Sequence, residues 1–301
     1  MKRFSPVPAL FIVLFLASLA PAQGLTLIAD NVYSYVGAED ASAAHSFGAN
    51  AGIVVGIDGV LVVDTLISTR EAARFLADIR AVTDKPIRYV VNTHTHLDHA
   101  FGNSLFASLG ATVISHVADR EYFARTGEET LQKASDFGLT AEDMVGTRIA
   151  LPKLTFTNRM QINLGDVEVE LIRVAPSHTA GSLVVSIPDR KVVFAGDILF
   201  TDSHPFLAEG DLDGWQSALD DILAMDVEKI IPGHGPLSTR KDIREMKEYL
   251  AAFDQLARKL SATSQDADAI AAEIIKTLPR RSQGEWMVSY NIKSCYLGSR
   301  E

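Results

Sequence analysis

Among 301 residues the chain has one cysteine, Cys295. A single thiol cannot close a bridge within its own chain, so no disulfide framework holds this protein together. Stability must come from a hydrophobic core and from whatever the fold binds. Positive charge is also short: 28 Lys and Arg stand against 38 Asp and Glu, a formal net charge of −10. Phosphate backbones are bound by clusters of Lys and Arg, so an acidic chain is a poor match for nucleic acid. No low-complexity stretch divides the sequence, which favours one domain. The apolar run from Ala9 to Ala20 falls short of the ~20 residues a membrane span usually needs.

That run nevertheless has an address. Lys2 and Arg3 precede it and Ala20-Pro21-Ala22 follows it, the basic start and A-x-A site of a cleaved signal peptide. Residues 1–22 are therefore expected to be removed. The mature chain would begin near Gln23 in a periplasmic or secreted location, with no lasting membrane attachment. An uncleaved anchor is the competing reading, disfavoured by length. No cysteine follows the run, which excludes lipid attachment there. Losing Lys2 and Arg3 takes the formal charge from −10 to −12. About 280 residues remain, within reach of a single two-sheet domain.

Downstream, short β-branched runs dominate. Asp58-Gly59 separates Gly52–Ile57 from Val60–Val63 and marks a hairpin; Gly165-Asp166 and Pro188-Asp189-Arg190 mark two more. A helix is expected after Ser68 or Thr69, with Ala72, Phe75, Leu76 and Ile79 as its buried stripe. Others are expected near 102–109, from Asp213 with Trp215, Leu219, Ile222 and Leu223 inward, and over 239–260 and 267–278. Residues 118–149 are polar and helical in tendency, and read as an insertion beside the mouth of the active site. The hairpin ending at Asp64 resembles the one ending at Asp197. This is weak evidence of duplication, but it is what two similarly built half-sheets would show.

The chemistry lies just beyond the strand-like runs, where α/β folds place their sites. Ile87–Val91 runs straight into His94-Thr95-His96-Leu97-Asp98-His99, and His178, Asp197 and His234 each stand in a Gly- or Pro-containing turn. Imidazole and carboxylate suit borderline divalent ions such as zinc, with iron or manganese as alternatives. Seven such donors exceed what one tetrahedral ion requires, so a two-metal centre is the natural reading.

With these motifs together, the chain resembles the metallo-β-lactamase superfamily of hydrolases. The resemblance runs from about Asp30 to His234. It includes Val62-Val63-Asp64-Thr65, the H-x-H-x-D-H stretch, Ser177–Gly181, Phe194–Phe200 and Pro232–Gly235, in the family's order. It implies an αββα fold, a four-layer sandwich of two mixed sheets flanked by helices, with the metals at one edge between the sheets. It also implies that His94, His96 and His178 hold one ion, that Asp98, His99 and His234 hold the second, and that Asp197 bridges them. Two cations sharing a water lower its pKa toward neutrality, and Asp98 would orient that water or shuttle its proton. Asp64 is expected either to orient a ligating imidazole or to be a plain turn acid.

Departures from the family pattern narrow the branch. Asp197 stands where the best-known β-lactamases carry Cys or Ser, as in glyoxalase II-like and lactonase-like hydrolases. Phe200 stands where one β-lactamase branch uses a Lys. The motif also differs from the H-x-E-x-D-H of flavodiiron proteins, which disfavours a redox role. Phe200–Trp215 and Pro232–Pro236 look most like the periplasmic metallohydrolases associated with quinoprotein dehydrogenases and sulfur oxidation.

The expectation is thus an exported dinuclear zinc hydrolase of a small-molecule ester, thioester, lactone or amide. A true β-lactamase and a non-catalytic accessory protein of a periplasmic dehydrogenase are the rivals. Among other residues, His204 is a candidate substrate contact, His45 is expected as a loop residue rather than a flap over the metals, and His116 as structural.

Overall fold

A computed structural model describes residues 24–298; the signal peptide expected at 1–22 lies outside them. Among the described residues twelve strands form two mixed sheets. In the first, β1 (Thr26–Ala29), β2 (Val32–Ser34), β3 (Gly52–Gly56), β4 (Gly59–Val63), β5 (Ile87–Val91), β6 (Thr112–His116) and β7 (Leu154–Phe156) lie side by side in chain order. Pairing is antiparallel up to β4 and parallel from β4 to β7. In the second sheet β8 (Arg159–Asn163), β9 (Glu168–Arg173), β10 (Leu183–Ile187) and β11 (Val192–Phe200) pair antiparallel, and β12 (Lys229–His234) joins β11 in parallel.

Strand alternation sorts the apolar side chains into layers. Val54, Leu61, Val63 and Val91 face the second sheet and interdigitate with Leu171, Leu183, Val185 and Phe194. Their neighbours Ile53, Val55, Val60, Val62 and Val90 turn outward. There they are covered by α1 (Thr69–Val82) and, through Phe106, α3 (Asn103–Ser108). On the far side, Val184, Val193 and Ala195 are covered by α5 (Leu212–Ala224), α6 (Arg240–Ser261) and α7 (Ala267–Thr277). The result is the expected four-layer αββα sandwich. No described helix is long and apolar enough to cross a membrane.

Local signals start the helices where anticipated. The Ser68 side chain accepts from the Glu71 N–H to cap α1, and Thr239 with Asp242 forms a capping box before α6. Ala72, Phe75 and Ile79 are buried as predicted, Leu76 only in part. The polar stretch after β6 is α4 (Val117–Gln132), followed by a 3-10 turn at Ala134–Phe137. His116 is structural: its Nδ1 accepts from the Ala118 N–H and caps α4.

Two features differ from the sequence reading. β11 does not end before Asp197: it kinks at Gly196, where φ is +51°, and continues to Phe200, so Asp197 sits within a strand. A short helix, α8 (Glu285–Asn291), follows α7 and was not anticipated.

Candidate metal centre

Loops at one end of the two sheets bring the seven predicted donors together. β5 delivers His94 and His96, and the one-turn α2 (Leu97–Ala100) carries Asp98 and His99. His178 lies in the turn before β10, Asp197 in β11, and His234 is the last residue of β12. Among the described residues, potential ligand atoms cluster within 4.8 Å of one another in three groups: His94, His96 and His178; Asp98, His99 and His234; and His94, His99 and Asp197. Asp197 lies between the first two, with Oδ2 3.3 Å from His178 Nε2 and 3.5 Å from His234 Nε2, and Oδ1 3.1 Å from His99 Nε2. Asp98 Oδ2 is 3.3 Å from His234 Nε2.

This convergence requires very close backbone packing. A Cβ on Gly233 would lie 1.8 Å from Asp197 Oδ1 and 2.7 Å from the Gly196 carbonyl carbon. One on Gly196 would lie 2.5 Å from Thr93 Oγ1. Only glycine lets β11 and β12 bring Asp197 and His234 this near the His94 loop.

Each of the five imidazoles turns one nitrogen inward and anchors the other. His99 Nδ1 donates to Asp64 Oδ2 at 2.9 Å. His96 Nε2 donates to Glu209 Oε2 at 3.2 Å, and the Tyr122 hydroxyl holds the other Glu209 oxygen at 2.6 Å. His178 Nδ1 donates to the Phe206 carbonyl and His234 Nδ1 to the Phe47 carbonyl, both at 3.1 Å. His94 Nδ1 donates to Thr93 Oγ1 at 3.2 Å, and that hydroxyl donates onward to Asp64. An outer nitrogen that carries the proton leaves the inner one with a free lone pair, the tautomer a metal ligand needs.

The inner atoms test whether cations suit the site. His94 Nε2, His99 Nε2 and Asp197 Oδ1 are buried without a hydrogen-bond partner. His178 Nε2 and His96 Nδ1 face each other at 2.8 Å although both rings are anchored through their other nitrogen. Buried acceptors pressed together without donors are costly unless a positive charge lies among them. Against the cost of burial, neighbouring carboxylates raise His96 and His99, so protons stand in part for that positive charge. Burial pushes His94 down, and pushes His178 down to about 3. Burial opposes charge on His234 too, but the Asp197 and Asp98 carboxylates raise it to about 9. Burial likewise opposes ionisation of Asp197, yet the surrounding imidazoles hold it well below the usual carboxylate range. The donor set and its orphaned atoms therefore fit divalent cations.

Asp64 lies against an imidazole, its Oδ2 2.9 Å from His99 Nδ1. Besides His99 it accepts from the Thr93 N–H at 2.8 Å, at a backbone φ of +58°. Phe200 stacks on the His234 ring with centroids 5.1 Å apart and planes 3° from parallel. His204 corrects an expectation. It does not line the metal-side cavity; it is buried, with Nδ1 2.7 Å from the Tyr249 hydroxyl. Phe206 and Glu209, from the same segment, line that cavity instead. His45 is exposed within a 3-10 turn at Ala43–Gly48 and pairs with Asp40.

Glu209, Tyr122, Thr93 and the carbonyls of Phe47 and Phe206 were missed from sequence. No spacing rule marks a carboxylate 113 residues from its imidazole, and a carbonyl has no residue signature. Asp119 was missed too. Buried, it accepts from the Thr179 hydroxyl and the Gly181 N–H, both at 3.0 Å, and so supports the turn that carries His178.

Known proteins resemble this chain in family and in fold. The family model described as the metallo-beta-lactamase superfamily matches residues 46–234. A linear primary-alkylsulfatase of Pseudomonas sp. is 24% identical over 223 residues, which is 63% of this chain but 42% of that protein, so the chain spans less than half of that relative. An acyl-coenzyme A thioesterase of Bos taurus is 28% identical over 207 residues, 62% of this chain and 72% of the relative. Among solved structures, a metallo-beta-lactamase from Pontibacter korlensis superposes with a TM-score of 0.61 at 18% identity, covering 75% of this chain and 98% of that one.

Proposed function

The chain belongs to the metallo-beta-lactamase superfamily, and from that premise we propose that it hydrolyses an ester, thioester, lactone or amide at a centre of two divalent cations, zinc foremost. It is a metal-dependent hydrolase at the level its relatives share. In this reading His94, His96 and His178 hold one cation, Asp98, His99 and His234 the other, and Asp197 both. The carrying observation is that all five imidazoles are anchored on the outside and open on the inside.

Bound there, the cations supply Lewis acidity and make water acidic enough to ionise near neutral pH. The chain's own residues do the rest. Asp98 is the carboxylate at the cavity surface beside His234, positioned to accept a hydrogen bond from an attacking water and take its proton. Asp197 reaches the same cavity but is engaged by His99, His178 and His234. Asp64, Glu209 and the Phe47 and Phe206 carbonyls hold the rings in register.

Export through residues 1–22 is part of the proposal, as is a place near the periplasmic, glyoxalase II-like members of the superfamily, supported by Asp197 at the shared position. The test is metal analysis and an activity panel of thioesters, lactones, esters and β-lactams on the mature chain, with Asp98→Asn as control. About two zinc per chain and turnover lost in Asp98→Asn are expected. A folded protein that takes up no metal would end this reading. Recovery of a periplasmic form beginning near Gln23 would support export.

A further inference from the structure

The candidate metal centre forms the floor of a small cavity, about 110 Å³, that opens to solvent. Its walls are aromatic from several directions. α4 supplies Phe123, the 3-10 turn after it supplies Phe137, and the segment around His45 supplies Phe47. Phe206 comes from the loop after β11, and α8 adds Trp286 and Tyr290. The rings join in a chain over the mouth: Phe47 to Trp286 at 5.6 Å, Trp286 to Tyr290 at 6.4 Å and Tyr290 to Phe206 at 5.3 Å. Trp286 and Tyr290 are 45% and 41% exposed, so they present open aromatic faces toward solvent. Large apolar side chains left uncovered beside a cavity mark a place where an apolar group binds.

The same cavity carries acidic side chains with no Lys or Arg to balance them. Among the described residues that line it there is no Lys or Arg, while Asp98, Asp197 and Glu209 all reach it. The adjoining outer groove has one cation, Lys133, already paired with Glu129 at 2.6 Å. Two divalent cations would bring four positive charges. Asp98, Asp197, Asp64 and Glu209 bring four negative ones, so the loaded site has no surplus to attract an anion. A carboxylate, sulfate or phosphate on the substrate would enter without a partner and pay desolvation.

We propose that the substrate is an uncharged carboxylic ester with a bulky apolar acyl arm, the arm lying among Phe123, Phe137, Phe47 and Trp286. This rests on the hydrolase reading above. The reaction balances as addition of water. Its oxygen bonds the acyl carbon, the acyl carbon–oxygen bond breaks, one water proton goes to the leaving alcohol, and the acid formed releases the other. No oxidant or reductant is needed.

The test is a series of 4-nitrophenyl esters with zinc-loaded enzyme: acetate, butanoate, octanoate, and a chain of similar length ending in a carboxylate. Each buried methylene is worth ~0.8 kcal/mol, about fourfold, so kcat/KM should rise at least tenfold from acetate to octanoate. It should fall again for the carboxylate-tipped chain. Trp286→Ala should lower the octanoate-to-acetate ratio several-fold. A binding readout is independent of turnover: 2-decanone should change Trp286 fluorescence saturably, Trp286→Phe should abolish the signal, and decyl sulfate should not reproduce it.

A flat chain-length profile, a preference for the charged ester, equal binding of decyl sulfate, or turnover confined to thioesters or lactams would overturn the substrate class and leave the hydrolase reading standing. No turnover on any member of either panel would bring down both.

Discussion

The backbone carbonyl of Phe47 accepts a hydrogen bond from Nδ1 of His234 at 3.1 Å, joining the cavity wall to a proposed metal ligand through one residue. Phe47 holds that position at φ +52°, a conformation costly for a bulky side chain, while its ring packs on Trp286. Its carbonyl and its ring can therefore be separated by mutation. Phe47→Asn, which tolerates this backbone, should keep metal affinity within a few-fold and alter only cavity binding. Phe47→Pro, locked near −65°, should displace the carbonyl and weaken metal binding by roughly 10–100-fold. Competition with a chromophoric chelator reads both; equal affinities in the two variants would refute the link.

Asp64 should matter to the metal without touching it. In Asp64→Asn the amide would offer a donor to His99 Nδ1, favouring the tautomer whose inner nitrogen carries a proton. Metal affinity should drop on the order of 10–100-fold, more than for the half-exposed Glu209→Gln. Calorimetric titration of the chelated protein measures both.

Gly233→Ala tests the closeness of β11 and β12. The added carbon would overlap Asp197 Oδ1 and the Gly196 backbone, neither of which is the loose end of a flexible chain. We expect the variant to lose its metal or not to fold. Full metal content and an unchanged Tm would show that the strands can part.

Asp119 carries the pH prediction. Burial pushes its carboxyl up to about 6, with the Thr179 hydroxyl only partly offsetting this. A raised carboxyl pKa means the folded chain keeps a proton that the unfolded chain, titrating near 3.8, gives up. Folding is then penalised as pH rises from about 4 to about 6, and the penalty persists above that window. Stability relative to Asp119→Asn should therefore fall by on the order of 3 kcal/mol between pH 4 and 7. Urea melts of the chelated proteins across that range check it; a pH-independent difference would contradict the assignment.

Chelation itself should destabilise the wild type. A ligand that binds only the folded chain adds about 4 kcal/mol at a thousand times its Kd. Adding EDTA should accordingly lower Tm by several degrees and restoring zinc should return it. The same Tm with and without chelator would argue against a cation at this site.

Much of the fold could be read locally, because its signals are local. Asp58-Gly59 closes a hairpin by its own backbone preference, Ser68 caps α1 from the position before it, and the stripe of Ala72, Phe75 and Ile79 needs only helical spacing. The seven donors were legible for a related reason: four lie within six residues, and the rest follow strand-like runs in a recurrent order. Asp197 within a continuous strand was not legible, since the kink at Gly196 depends on packing against Thr93. α8 was passed over because seven residues with Trp286 and Tyr290 on the outside carry little of the buried periodicity that betrays a helix.

Residue type and short-range spacing were enough to mark the side chains suited to cations and the strand pattern that carries them. Long-range packing set which nitrogen of each ring faces inward, brought Glu209 rather than His204 to the candidate metal side, and made the cavity aromatic and free of Lys and Arg among its described residues. Most of those properties arise where segments distant in the chain meet, as Phe47 meets His234 and Glu209 meets His96, and no local rule of chain chemistry specifies which carbonyl or ring will be found there.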